Sequence, residues 1–326
     1  MTARDLPIDL LVDPALVLPA SKRRALPPVT VVLDRGDDAR FTAAALAASR
    51  PRAGCITIHP TVGTARTDVL LHDHLTALGR SVVNLRTQGL AQEAAAERAV
   101  RAWMWAEGIR HVIVLRSHLP RLRLHYLLDL HAATGAALTV VWHAPALGRD
   151  LERLLNSVNH RVVDTLHAAR EAFHTPFVRA CRCPGRPPRA RILIPGWDTP
   201  VAALPPAVVL ERIRRHIPHP LYAAALTAAW TTGASPHLLR GARLQDLTPR
   251  GDALALPMAA SPGPGPVSRH GTRETFRIPA RLRPHLLAAA HYRHLEDAGP
   301  GARLFAGIRA DRLSAMATTC GLRVRA

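Results

Sequence analysis

Six titratable side chains follow directly on short apolar runs. Asp34 and Arg35 follow VTVVL, His59 closes CITIH, Arg116 and His118 follow HVIVL, and His143 closes ALTVVWH. If those runs are neighbouring parallel strands, ligands bind beyond their carboxyl ends. Asp34, Arg35, His59, Arg116, His118 and His143 then form one candidate ligand rim, able to donate, accept and carry charge. A second set is cationic: Arg240, Arg243, Arg269, His270, Arg273 and Arg277, with Arg182, Arg186, Arg189 and Arg191 upstream. The guanidinium is a fixed fork of donors that matches phosphate and never loses its charge. The chemistry of this set is nucleic-acid backbone binding.

Other patterns carry less. His72-Asp73-His74 reads as helical, where residues two apart do not share a face, so chelation there is poor. Cys181 and Cys183 have no second cysteine pair at zinc-ligand spacing. His216 and His219 flank Pro218 with no carboxylate near. Nucleophile elbows and glycine-rich dinucleotide fingerprints are absent. We therefore expect no catalytic residue, no metal and no cofactor.

Charge points to the partner. The 326 residues hold 43 Lys+Arg against 24 Asp+Glu, a formal charge of +19. Only Lys22 is a lysine. A coding bias accounts for arginine over lysine but less well for the excess, which favours a polyanion such as DNA. Cys55, Cys181, Cys183 and Cys320 are scattered, and the first residues carry Asp5, Asp9 and Asp13 rather than a secretory pattern. No apolar run reaches the roughly 18–20 residues of a membrane span. The expectation is a cytoplasmic chain with no membrane partner.

The elements that must position these residues alternate. Strands are predicted at 29–33, 55–59, 81–85, 111–115 and 137–143. Helices are predicted at 41–49, 67–79, 92–107 and 122–134, then at 147–155 and 162–173. Strands separated by such helices form a parallel sheet covered on both faces. The fold class is α/β: a doubly wound, mainly parallel sheet with a second, mostly α-helical domain carrying a β-hairpin. The expected divisions are an arm (1–28, with the basic cluster Ser21-Lys22-Arg23-Arg24), an α/β domain (29–174), a basic Pro/Arg-rich linker (175–200) and a helical domain (201–326). The last reads as helices at 206–216, 221–230, 281–298 and 311–319, with a hairpin of 252–258 against 272–278.

Two resemblances follow from these residues. The order of strands and helices in 29–174 resembles the core of AAA-type ATPases that accompany transposases. That family implies a phosphate-binding GxxxxGK[ST] loop after the first strand and Asp-Glu after the fourth. Here those places read Asp34-Arg35-Gly36-Asp37-Asp38-Ala39-Arg40-Phe41-Thr42 and Leu115-Arg116-Ser117-His118, so ATP hydrolysis is not expected. Residues 221–322 resemble the first part of the catalytic domain of tyrosine recombinases, the phage-type integrases. The matching residues are Thr232-Gly233, Leu239, Arg243, Asp246-Leu247, the hairpin, and Leu304-Phe305. The family's phosphate-clamping arginine falls on Ser235 and the acidic residue after it on Leu238. Arg269 or Arg273 stands nearest the hairpin lysine. The His-x-x-Arg segment would begin near Ala326, and Tyr126, Tyr222 and Tyr292 do not match the nucleophile's place. The resemblance implies a truncated, degenerate recombinase domain that cannot form a phosphotyrosine.

The reading is a non-catalytic DNA-binding or accessory protein of a mobile element or DNA recombination system. The alternatives are a nucleotide- or small-molecule-handling enzyme using the rim, or an interaction module for a partner recombinase or transposase.

Overall fold

The computed structural model describes residues 26–62, 66–118, 124–174, 201–202, 205–257 and 273–323. Five parallel strands form the central sheet. They are β1 (Val29–Leu33), β2 (Cys55–Ile58), β3 (His111–Val114), β4 (Ala137–Trp142) and β5 (His160–Val163), in the order β2-β3-β4-β1-β5. The first four are buried along nearly their whole length, as strands covered on both faces must be. Successive side chains point to opposite faces. Val32, Ile113, Leu115 and Val141 meet one layer, made of α1 (Ala39–Ala48) and α6 (Leu166–Phe173) through Phe41, Ala45, Ala169 and Phe173. Val31, Ile56, Val112 and Val140 meet the other, made of α2 (Thr67–Ala77), α3 (Glu93–Ala106), α4 (Leu124–Thr134) and α5 (Arg149–Leu155).

The chain leaves β1 in one direction across the sheet and returns through β3, β4 and β5 in the other. Connections diverge between β1 and β4, which makes the crevice beyond their carboxyl ends the switch point of the sheet. Leu33 pairs with Trp142 there, and Asp34 N–H donates to the Trp142 carbonyl at 2.9 Å.

Two expectations are corrected. Residues 81–85 are not a strand. They belong to an irregular stretch in which Asn84 has φ +66 and Val82 and Val83 are exposed. The backbone bonds they would give a sheet go elsewhere: Ser81 N–H donates to the Arg215 carbonyl at 2.6 Å. The fifth strand lies at β5 instead, within a region expected to be helical. It forms a sheet edge and pairs with β1.

The helical part holds α7 (Pro206–His216), α8 (Pro220–Thr232), α9 (Pro236–Arg240), α10 (Arg283–His294) and α11 (Ala310–Thr319). Strands β7 (Ala253–Pro257) and β8 (Arg273–Arg277) form the antiparallel hairpin, and β6 (Val201–Ala202) pairs with β9 (Leu322–Arg323). Pro220 opens α8 and Gly233 closes it at φ +71, a left-handed position only glycine takes without strain. This part is not set apart from the sheet by a polar seam. α10 packs along α3, and one continuous apolar core runs from Val31 through Trp103 to Ala289 and Leu322. Trp103 Nε1–H donates to the Pro218 carbonyl at 2.7 Å. Arg80, fully buried, donates to the Arg214 carbonyl at 2.7 Å, pairs with Glu107 and stacks its guanidinium 3.5 Å over Trp103. Burial pulls that guanidinium down to about 10, which still leaves it charged at neutral pH.

Candidate functional site

The switch-point crevice is built by two loops in uncommon backbone geometry. Asp37 and Arg116 have φ of +48 and +50, two of only four non-glycine residues in that region among those described. Such conformations persist where the surroundings over-determine them. Asp34 is buried at the end of β1. One carboxylate oxygen accepts Asp38 N–H at 2.9 Å, folding the loop back on itself. The other accepts Nδ1 of His143 at 2.8 Å. Asp37 lies 3.2 Å from the same nitrogen and 3.9 Å from Arg116 Nη1. Asp38 serves differently: its side chain caps α1 by accepting Arg40 N–H.

Histidine 143 is buried, and its Nε2 has no partner among the described residues; Nδ1 of His118 is likewise buried and unpartnered. The two rings are 5.8 Å apart, and His118 also stands edge-on to Trp142. Burial, with His143 and Arg116 adding to it, lowers the proton affinity of His118.

Of the six rim residues, Asp34, Arg116, His118 and His143 come together. Arg35 is exposed and turned to the Pro145 carbonyl at 2.7 Å. His59 is exposed just beyond the end of β2, with β3 and β4 between that strand and β1. Asp37 was missed as a rim residue. Its signal is Gly36-Asp37-Asp38 ahead of a helix, a turn able to aim a carboxylate back at the strand end.

The cationic set forms a second locus, on the helical part. Along β8, Arg273, Thr275 and Arg277 line the exposed face while Glu274 and Phe276 turn inward. Arg273 pairs with Asp246 and donates to the Gly241 carbonyl at 3.1 Å, which draws β8 against the end of α9. Arg240 and Arg243 flank that contact and are exposed. Arg243 also stands opposite Arg303 across an isolated antiparallel bridge. Like charges so placed repel unless an anion lies between them. Arg240, Arg243, Arg277 and Arg303 have no carboxylate partner among the described residues. The remaining residues of this set, Arg269, His270, Arg182, Arg186, Arg189 and Arg191, lie outside the described residues.

Ser235, where the recombinase likeness would place an arginine, caps α9 by accepting Leu238 N–H at 3.3 Å. Tyr222 and Tyr292 are buried, as are the Cys55 and Cys320 thiols, which burial pushes up to about 11 and about 12. No thiolate nucleophile arises from these two cysteines at neutral pH. Among the described residues no helix is long and apolar enough to cross a membrane.

The chain matches no protein-family model, and no match is found among curated proteins or solved structures.

Proposed function

We propose that this chain is a nucleic-acid-binding protein that supplies no strand cleavage of its own. It would serve a mobile element or DNA recombination system as an accessory, alone or with a partner recombinase or transposase. The observation that carries this reading is the set of exposed arginines Arg240, Arg243, Arg277 and Arg303, none with a carboxylate partner among the described residues, with Arg243 and Arg303 set opposite each other. Each guanidinium that reaches a duplex phosphate displaces condensed counterions. The binding constant then falls with salt, by a slope of about 0.9 per phosphate contacted.

Fluorescence anisotropy with a random labelled duplex, from about 50 to 200 mM salt, tests it. The wild type should bind at low salt and lose affinity steeply. Arg240→Ala/Arg243→Ala/Arg277→Ala should bind more weakly and show a slope shallower by about 3. An unchanged slope in the triple variant would remove these three arginines from the contact. No binding by the wild type even at the lowest salt would sink the reading and leave the partner-binding module.

A second reading rests on the crevice. The buried Asp34–His143 pair at the switch point of a parallel sheet is where a nucleotide- or small-molecule-handling enzyme would hold its ligand. A thermal shift with a nucleotide panel distinguishes it from a binding protein, because a ligand that prefers the folded state raises the transition temperature.

A further inference from the structure

We propose that the crevice beyond β1 and β4 binds one divalent transition-metal ion through Asp34, Asp37 and Nδ1 of His143. One donor atom from each residue lies within 4.8 Å of the others. The histidine nitrogen is 2.8 Å from an Asp34 oxygen and 3.2 Å from an Asp37 oxygen. Two donors each about 2.0–2.2 Å from one ion, at angles of about 90–110°, are themselves about 2.8–3.6 Å apart. These separations are therefore those of ligands round a common centre. Each carboxylate uses its other oxygen for a contact that aims it: Asp34 on Asp38 N–H at 2.9 Å, Asp37 towards Arg116 at 3.9 Å.

The far side of the same imidazole is placed to orient it for such a role. His143 has no exposed side-chain surface, yet its Nε2 has no partner among the described residues. With Nδ1 on a metal, the ring proton sits on Nε2 and needs an acceptor. Nδ1 of His118 is the unpartnered atom next to it, with the rings 5.8 Å apart. An imidazole-to-imidazole hydrogen bond sets ring centres about 5.3 Å apart, close to the separation here. Ligating histidines ordinarily have such an orienting partner on the other nitrogen. With the metal on Nδ1, the direction of that contact is fixed: His143 Nε2–H donates and His118 Nδ1 accepts.

An imidazole with two carboxylates suits Zn²⁺, Mn²⁺ or Co²⁺ over Mg²⁺ and Ca²⁺, which favour oxygen alone. The Asp37 side chain, 57% exposed, marks the way in. Three protein donors leave a coordination position for water or an anionic ligand. No local spacing of ligands marks this site in the sequence. Here the donors come from two strand ends, 109 residues apart. The proposal does not depend on nucleic-acid binding.

The test is calorimetric and spectroscopic titration of Co²⁺ into the full chain, free of any tag and stripped with chelator, followed by Zn²⁺ competition. We expect one ion per chain, a visible ligand-field band that Zn²⁺ abolishes, and affinity at least about 10-fold weaker in Asp37→Asn and in His143→Gln. Asp37 is exposed, so Asp37→Asn keeps the fold and decides the matter even if His143→Gln does not fold. Equal binding by wild type and Asp37→Asn would put the ion on other histidines and overturn the assignment. So would the absence of binding at about 0.1 mM Co²⁺, far weaker than a preformed three-ligand site should be.

Discussion

Acidification from pH 7 to about 5.5 should destabilise this protein strongly, at a pH where most of its carboxylates are still ionised. Five histidines carry the effect, four of them buried and one, His291, half-buried. Burial lowers the pKa of His74, His111 and His291 to about 4 and of His219 and His285 to about 3. Well above pH 6.5 these rings are neutral in both states and contribute nothing to the pH dependence. Below it the unfolded chain takes up protons that the folded chain refuses, so stability falls as pH falls and goes on falling to about pH 3–4. One pH unit below its free value, each such ring costs about 1.4 kcal/mol. Five rings together remove about 7 kcal/mol, comparable with the whole stability of a typical domain. Urea denaturation followed by tryptophan fluorescence at pH 7.5, 6.5 and 5.5 reads this directly. An unchanged midpoint between pH 7.5 and 5.5 would mean that these rings are solvated or charged in the folded state.

Trp103→Ala should be the most damaging single substitution in the chain. The ring is fully buried where α3 meets the helical part, it donates to the Pro218 carbonyl, and Arg80 lies flat against it. His285 touches its edge, with ring centres 5.8 Å apart. Emptying such a site costs about 3–5 kcal/mol, and the orphaned Pro218 carbonyl adds about 1–3 kcal/mol. Trp103→Phe keeps most of the volume and should lose chiefly the second contribution. Arg80→Met should cost less than its burial implies, because Glu107 keeps Arg214 at 3.7 Å. The two effects should not add, since each side chain holds the other. Chemical denaturation of the three variants and the double variant measures all of this. A loss below about 1 kcal/mol for Trp103→Ala would mean that the junction rearranges to fill the space.

The sheet was readable because VTVVL, CITI, HVIV and ALTVVW are unbroken apolar runs punctuated by helices of the right length. The two errors have one cause. Ser81-Val82-Val83-Asn84-Leu85 has β-branched residues but its backbone is claimed by α7, whereas His160-Arg161-Val162-Val163 looks polar because an edge strand can leave side chains in water. β-propensity measures fit to a half-buried pleated surface, and neither segment shows by itself which surface it will meet. The crevice was legible as a set of strand ends, which made Asp34, Arg116, His118 and His143 foreseeable. Asp37 was not, because its part depends on a left-handed turn at a residue that is not glycine. Nor was the repulsive pairing of Arg243 with Arg303, which belongs to a bridge between distant segments.

The packing of α10 along α3 also governs how the chain is made. Trp103 leaves the ribosome long before His285, roughly 180 residues later in the chain. At about 5–20 residues per second, that interval is about 10–40 s. Throughout it the nascent sheet carries an uncovered apolar flank, available to chaperones and to neighbouring nascent chains alike. Slow translation of the arginine- and proline-rich stretch 179–191 would lengthen that exposure. Yield in a heterologous host should then depend more on holdase capacity during synthesis than on the stability of the finished protein.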